Sequence, residues 1–105
     1  MEFILIHKAL VPLPPEAGKA MLEFGRKVLT KPGEVVPGGK LIASYAARGQ
    51  WTSVCIWDVP NVEALMPFLE QMSMFGWNNE VIPAEKMAVH MEKLAKALEA
   101  MKAQK

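Results

Sequence analysis

The stretch Glu2-Phe3-Ile4-Leu5-Ile6-His7-Lys8 decides the fold of this chain. It is rich in β-branched and aromatic residues, and Pro12, Pro14 and Pro15 follow soon after. A strand over residues 3–11 is therefore expected. Side chains alternate across a strand. Here both sets are apolar: Phe3 and Leu5 on one side, Ile4 and Ile6 on the other. A strand of this kind needs cover on both faces. The run is too short to span a membrane. It has no basic leader or small-residue cleavage site of the kind a signal peptide carries, so a buried strand explains it best.

Downstream, Pro15 suits the first turn of a helix, where its missing N–H costs nothing. Ala17, Ala20, Met21, Phe24 and Val28 then recur at helical spacing, with Glu16, Lys19, Glu23 and Lys27 on the other side. Pro32-Gly33 ends that helix, and a turn-rich loop with Pro37-Gly38-Gly39 follows. Two strands, 41–48 and 51–59, are expected as a hairpin about Gly49-Gln50. The second carries Trp51, Ser53, Cys55 and Trp57 on one face and Thr52, Val54, Ile56 and Asp58 on the other. Asn61 is placed to cap a second helix, with Val62, Leu65, Leu69 and Met72 as its apolar face. Pro67 should kink that helix or delay its start. Gly76 to Asn79 reads as a connection and 80–83 as a short fourth strand, with Pro83 marking a sheet edge. From about residue 85, Met87, Met91, Leu94, Leu98 and Met101 form a narrow seam on a final helix.

The order strand, helix, strand, strand, helix, strand points to an α+β chain of the ferredoxin-like βαββαβ type. A four-stranded antiparallel sheet is expected, with strands one and three central and both main helices on one face. The expected division is a domain over 1–85 and an amphipathic helix over 86–105, packed on the same domain or on a dimer. The second sheet face needs its own cover. A second copy of the chain is the simplest, giving an isologous homodimer. The final helix folding back over that face is the alternative.

The segments 3–8, 40–47, 51–60 and 77–83 resemble small proteins of the dimeric α+β barrel superfamily, and among them the uncharacterised DUF3303 type. The shared features are a Gly- and aromatic-rich hairpin, a capped helix and a short strand ending near Val81-Ile82-Pro83. The resemblance covers about residues 1–85. Asp58 followed directly by Val59-Pro60 and the long Met-rich tail depart from it. It implies a fold and a pocket between sheet and helices. The superfamily includes cofactor-free oxygenases, lactone isomerases, haem-degrading enzymes and proteins without known activity, so it does not imply one chemistry.

Composition narrows the classes further. The 105 residues are 51% hydrophobic and 22% charged, as in an ordinary globular domain. Twelve basic and eleven acidic residues give a net charge of +1, without the basic stripe of a nucleic-acid binder. In RNA-recognition modules of the same βαββαβ order the stacking aromatics sit in a phase that Arg48-Gly49-Gln50-Trp51 does not match. No nucleic-acid or membrane partner is expected. Cys55 is the only cysteine, which fits a reducing cytoplasm. His7, Cys55 and His90 lie on separate elements, so no metal site is expected. Nucleotide-binding and nucleophile-elbow glycine motifs do not occur. No resident cofactor is called for.

His7 ends a central strand and titrates near neutrality, which suits a base or a ligand. A hydrogen-bonded histidine at the sheet rim is the plainer role. Tyr45 and Arg48 lie near the end of the second strand on opposite faces, and Arg48 suits a carboxylate clamp. These three are the candidate catalytic residues. Trp57, Trp77 and Glu80 are the candidate ligand-binding residues, with tryptophan faces for a planar group; core packing is their other use. Cys55 is expected to be buried and inert. The leading reading is a small-molecule pocket protein, with a metal-free enzyme of oxygenase or isomerase type as its catalytic form. The alternatives are an interaction module built on the Met-rich helix and a haem protein with His7 or His90 as axial ligand.

Overall fold

The structure is a computed structural model that describes residues 1–10 and 14–103. The expected extension of the first strand to residue 11 and of the last helix to 104–105 falls outside the described residues. Strand β1 runs Glu2–Ala9, helix α1 Pro15–Thr30, short helix α2 Pro32–Val35, strand β2 Lys40–Ala46 and strand β3 Thr52–Asp58. A 3₁₀ turn, Val62–Leu65, then leads into helix α3, Met66–Met74, followed by strand β4, Trp77–Ala84, and helix α4, Met87–Ala103. The four strands form one antiparallel sheet in the order β2-β3-β1-β4. This is the ferredoxin-like α+β fold, with β1 and β3 central and β4 at an edge.

Local chemistry accounts for most of these bounds. Pro15 occupies the first turn of α1. Asn61 Oδ1 accepts from the Ala64 N–H at 3.0 Å, capping the 3₁₀ turn. Pro67 delays the regular helix, which starts only at Met66.

Two expectations shift. The hairpin loop is longer than Gly49-Gln50. Ala47 accepts from the Gln50 N–H, and Gly49 takes a positive φ of 77°, so Arg48 and Trp51 leave the strands. β4 also begins three residues earlier than residue 80. Gly76, at φ 85°, turns the chain sharply enough for Trp77 to pair at once with Ala9. Asparagine is a poor strand former, which hid Asn78 and Asn79 from sequence reading.

The two sheet faces differ. Phe3, Leu5, His7, Cys55, Trp57 and Trp77 lie buried on the face that α1 and α3 cover. Leu65, Phe68 and Met72 close over them from the α3 side; Phe68 is missing from the expected apolar face, although its contacts make it central. The other face brings Ile4 beside Ile56 and Ile82, and Ile6 beside Val54. Among the described residues, no second core cluster forms on that face. α4 buries none of its residues, and the molecule is 64 Å in its longest dimension. Within one chain, α4 therefore does not supply the missing layer. Among the described residues, no helix is long and apolar enough to cross a membrane.

α1 carries glycines at 18 and 25 in its interior. A Cβ built at either position meets nothing within 4 Å. Glycine costs helical backbone entropy that alanine does not. Gly18→Ala and Gly25→Ala should each raise stability by about 0.5–1 kcal/mol. Chemical denaturation measures this, and a lowered midpoint for either variant would show that the glycine serves a contact.

Candidate functional site

The sheet face beneath α1 is laid out in cross-strand rows. Leu41, Trp57, Phe3 and Pro83 form the first row. Ser44, Cys55, Leu5 and Val81 form the second, and Ala46, Ser53, His7 and Asn79 the third. Polarity thus rises from a wholly apolar end towards the β2–β3 hairpin. α1 stands away from the polar end, with Gly18 and Gly25 presenting no side chain. The space left between is a cavity of about 650 Å³.

The cavity is mainly apolar, walled by residues such as Met21, Phe24, Phe68 and Met72, with His7, Ser44, Ser53 and Gln50 as polar points. His7 is fully buried at its floor. His7 Nδ1 lies 2.7 Å from Asn79 Oδ1. Asn79 Nδ2 donates to the Leu69 carbonyl at 3.3 Å and to Ser73 Oγ at 3.2 Å. With its amide hydrogens both used on α3, Asn79 presents its oxygen to His7. Nδ1 must then carry the proton and donate, which leaves Nε2 as a bare lone pair. Nε2 has no partner among the described residues. The imidazole and the Phe68 ring pack in a T-shape, centroids 5.4 Å apart at 86°.

Burial lowers the His7 pKa below its ordinary 6.5, and the Asn79 hydrogen bond only partly offsets this. The ring is neutral at pH 7. A neutral imidazole, with its tautomer held from behind and its second nitrogen unpaired, can accept a proton. Cys55 is the nearby thiol, 3.4 Å from Ser44 Oγ. Burial raises its pKa, so it stays protonated and unreactive. Among the described residues, no group of three or more His, Cys, Asp or Glu side chains could hold a metal ion.

The structure separates the six residues selected from sequence. His7 and Trp77 line the cavity. Trp77 also donates through Nε1 to Met21 Sδ at 3.2 Å, tying β4 to α1. Trp57 is fully buried in the apolar first row and belongs to the core, because its strand position falls two rows away from the polar end. Tyr45 is 74% exposed and pairs with Val54 on the open face. Glu80 pairs with Ile6, also on the open face. Arg48 sits in the hairpin turn and does not border the cavity. Sequence reading passed over Asn79, which was hidden in a supposed connection, and Ser44 and Ser53, which alternation alone places on the His7 face. Among the described residues, Arg26 is the only strongly charged one that lines the cavity, and it was likewise missed.

No family model matches the chain, so the DUF3303-type resemblance has no support there. No curated protein matches either. A solved structure of muconolactone isomerase is similar in fold, with a TM-score of 0.61 at 21% identity over 82% of this chain and 90% of that one. The likeness is one of fold: a four-stranded antiparallel sheet with helices in the ferredoxin-like α+β arrangement.

Proposed function

We propose that this protein is a cofactor-independent, isomerase-like enzyme whose base is His7. The observation that carries the reading is the Asn79–His7 pair: Nδ1 of the buried ring is held 2.7 Å from Asn79 Oδ1, and Nε2 has no partner in a residue that lines the apolar cavity. Nε2 takes a proton from a carbon next to a substrate carbonyl, forming imidazolium and an enolate. The same proton returns at a different carbon, and the double bond moves with no net redox change. Ser53, opposite His7 in the β1–β3 register, is a hydroxyl donor for the enolate oxygen. Its burial keeps the imidazolium a strong acid, which favours prompt return of the proton. Because His7 is fully buried, a floor side chain has to shift for a substrate to reach it. Met21 and Met72 are the adaptable ones. The fold shared with an isomerase supports this reading.

The test is hydrogen exchange in D₂O with a panel of enolisable lactones and keto acids, read by NMR. The wild-type protein should exchange at least one of them above the buffer rate, and His7→Asn should not. Exchange at the same rate in both proteins would sink the proposal. Haem fits less well. An iron bond needs an axial nitrogen that protrudes, and a rigid macrocycle cannot follow Nε2 into the floor. His90, the other expected candidate for that role, is engaged with Glu85 on the exposed surface.

The protein is further proposed to act as a homodimer. Ile4, Ile6, Val54, Ile56 and Ile82 form a contiguous apolar centre on the open sheet face, and an isologous pair would bury it. Lysine in place of Ile56 puts a charge at the middle of that contact, so sedimentation should show a dimer for wild type and a monomer for Ile56→Lys. A monomeric wild type would refute the pairing. The second functional reading, an interaction module, rests on α4, where Met87, Met91, Leu94, Leu98 and Met101 are 44–70% exposed. Removing residues 87–105 while retaining exchange activity would assign that helix to a separate task.

A further inference from the structure

The cavity also carries information about charge. Among the described residues, no aspartate or glutamate lines it, while Arg26 does. Among the described residues Arg26 makes no ion pair and no side-chain hydrogen bond. It projects from α1 on the same helical side as Leu22 and Leu29, four and three residues away, which also line the cavity. Gly25 beside it adds no bulk. Arg26 is thus an exposed residue at the rim of an apolar chamber, without a protein partner for its guanidinium, and His7 lies on the sheet wall facing α1.

Resting on the reading of the cavity as a substrate site, we propose that Arg26 is its specificity residue and that the substrate is a small carboxylate with an apolar, ring-sized body. The planar guanidinium offers paired N–H donors that match a carboxylate in bidentate fashion. The apolar walls take the body of the molecule, and a neutral or anionic His7 partner at the reacting carbon is compatible with a neutral imidazole. A cation would meet repulsion at Arg26, and a fully apolar molecule would gain nothing from the guanidinium, which stays hydrated at the exposed rim. Arg26 thus performs the task that sequence reading gave to Arg48, which the hairpin turn carries away from the chamber.

The probes are 1-naphthoate and 1-naphthamide, which share a body and differ in charge, titrated into the full chain by calorimetry. Wild type should bind the naphthoate about tenfold more tightly, as expected for a hydrogen bond to a charged group. That preference should shrink as salt is raised. Arg26→Gln should remove it and leave naphthamide binding unchanged. Glutamine is a good helix former at an exposed position, so the fold is retained. Gly25→Phe, which fills the chamber, should abolish binding of both probes. Naphthamide binding that Gly25→Phe abolishes, without any carboxylate preference in wild type, would overturn the role of Arg26 and keep the chamber as a site. A preference that survives Arg26→Gln would also overturn it. Failure of wild type to bind either probe up to its solubility would overturn the substrate-site reading and this inference together.

Discussion

His7→Asn is expected to lower the exchange rate by about 10²–10⁴-fold, the usual contribution of a positioned general base. Asparagine keeps a hydrogen-bond donor near the Nδ1 position, facing Asn79 Oδ1, and has nothing in place of Nε2. The change therefore removes the base while sparing the buried acceptor. Far-ultraviolet circular dichroism should be unchanged, and the loss should lie in turnover more than in binding. The pH behaviour follows from burial. The native His7 pKa lies below 6.5, and the unfolded chain's is near 6.5. Above 6.5 both states are neutral and the group adds no pH dependence. As pH falls below 6.5 the unfolded state takes up a proton that the native state refuses, so stability declines. The decline stops once pH passes below the native pKa. Activity should hold through neutrality and fall on the acid side with a midpoint under 6.5. His7→Asn should lose this stability slope. A midpoint above 6.5, or an unchanged slope in the variant, would contradict the buried neutral ring.

Trp57→Ala should be the most damaging single change to stability, at about 3–5 kcal/mol. Trp57 is fully buried, and its ring lies 5.5 Å from that of Phe68 between β3 and α3. Alanine would leave a void that the sheet and helix cannot both relax to fill. In a domain of this size that corresponds to a fall in melting temperature of roughly 15–30 °C. Trp57→Phe should cost much less. The Trp57 indole N–H has no hydrogen-bond partner among the described residues. Phenylalanine removes that unsatisfied donor, worth about 1–3 kcal/mol, against a smaller loss of volume. Thermal melts of the two variants give the comparison. Equal losses would mean the indole nitrogen is satisfied in solution.

The candidate site was only partly readable. His7 stood out because a titratable ring in a run of Phe, Ile and Leu needs a reason. Trp77 stood out as a large amphipathic surface beside a turn. Arg48 and Tyr45 were misplaced by local effects, since Gly49 draws Arg48 into the turn and the β3 register sends Tyr45 to the open face. Asn79 acquires a role only because β4 pairs beside β1 and brings it against a residue 72 positions away in sequence. No local pattern signals a partner that distant. Helical spacing did not single out Arg26 at all. It borders the chamber because α1 stands off the sheet there.

Alternation and helical periodicity by themselves determined the element order, the central place of β1 and β3, the edge at Pro83, the Asn61 cap and the delayed start at Pro67. These depend on residues near in sequence, where backbone geometry sets which side chains share a face. Tertiary structure alone decided which strand face faces the helices, where α1 leaves space, and which distant side chains meet in it. Those outcomes depend on strand register, on the packing of Phe68 and Trp57, and on two glycines that leave room beneath a helix. They are sums over contacts between segments far apart in the chain, and no stretch of sequence contains them.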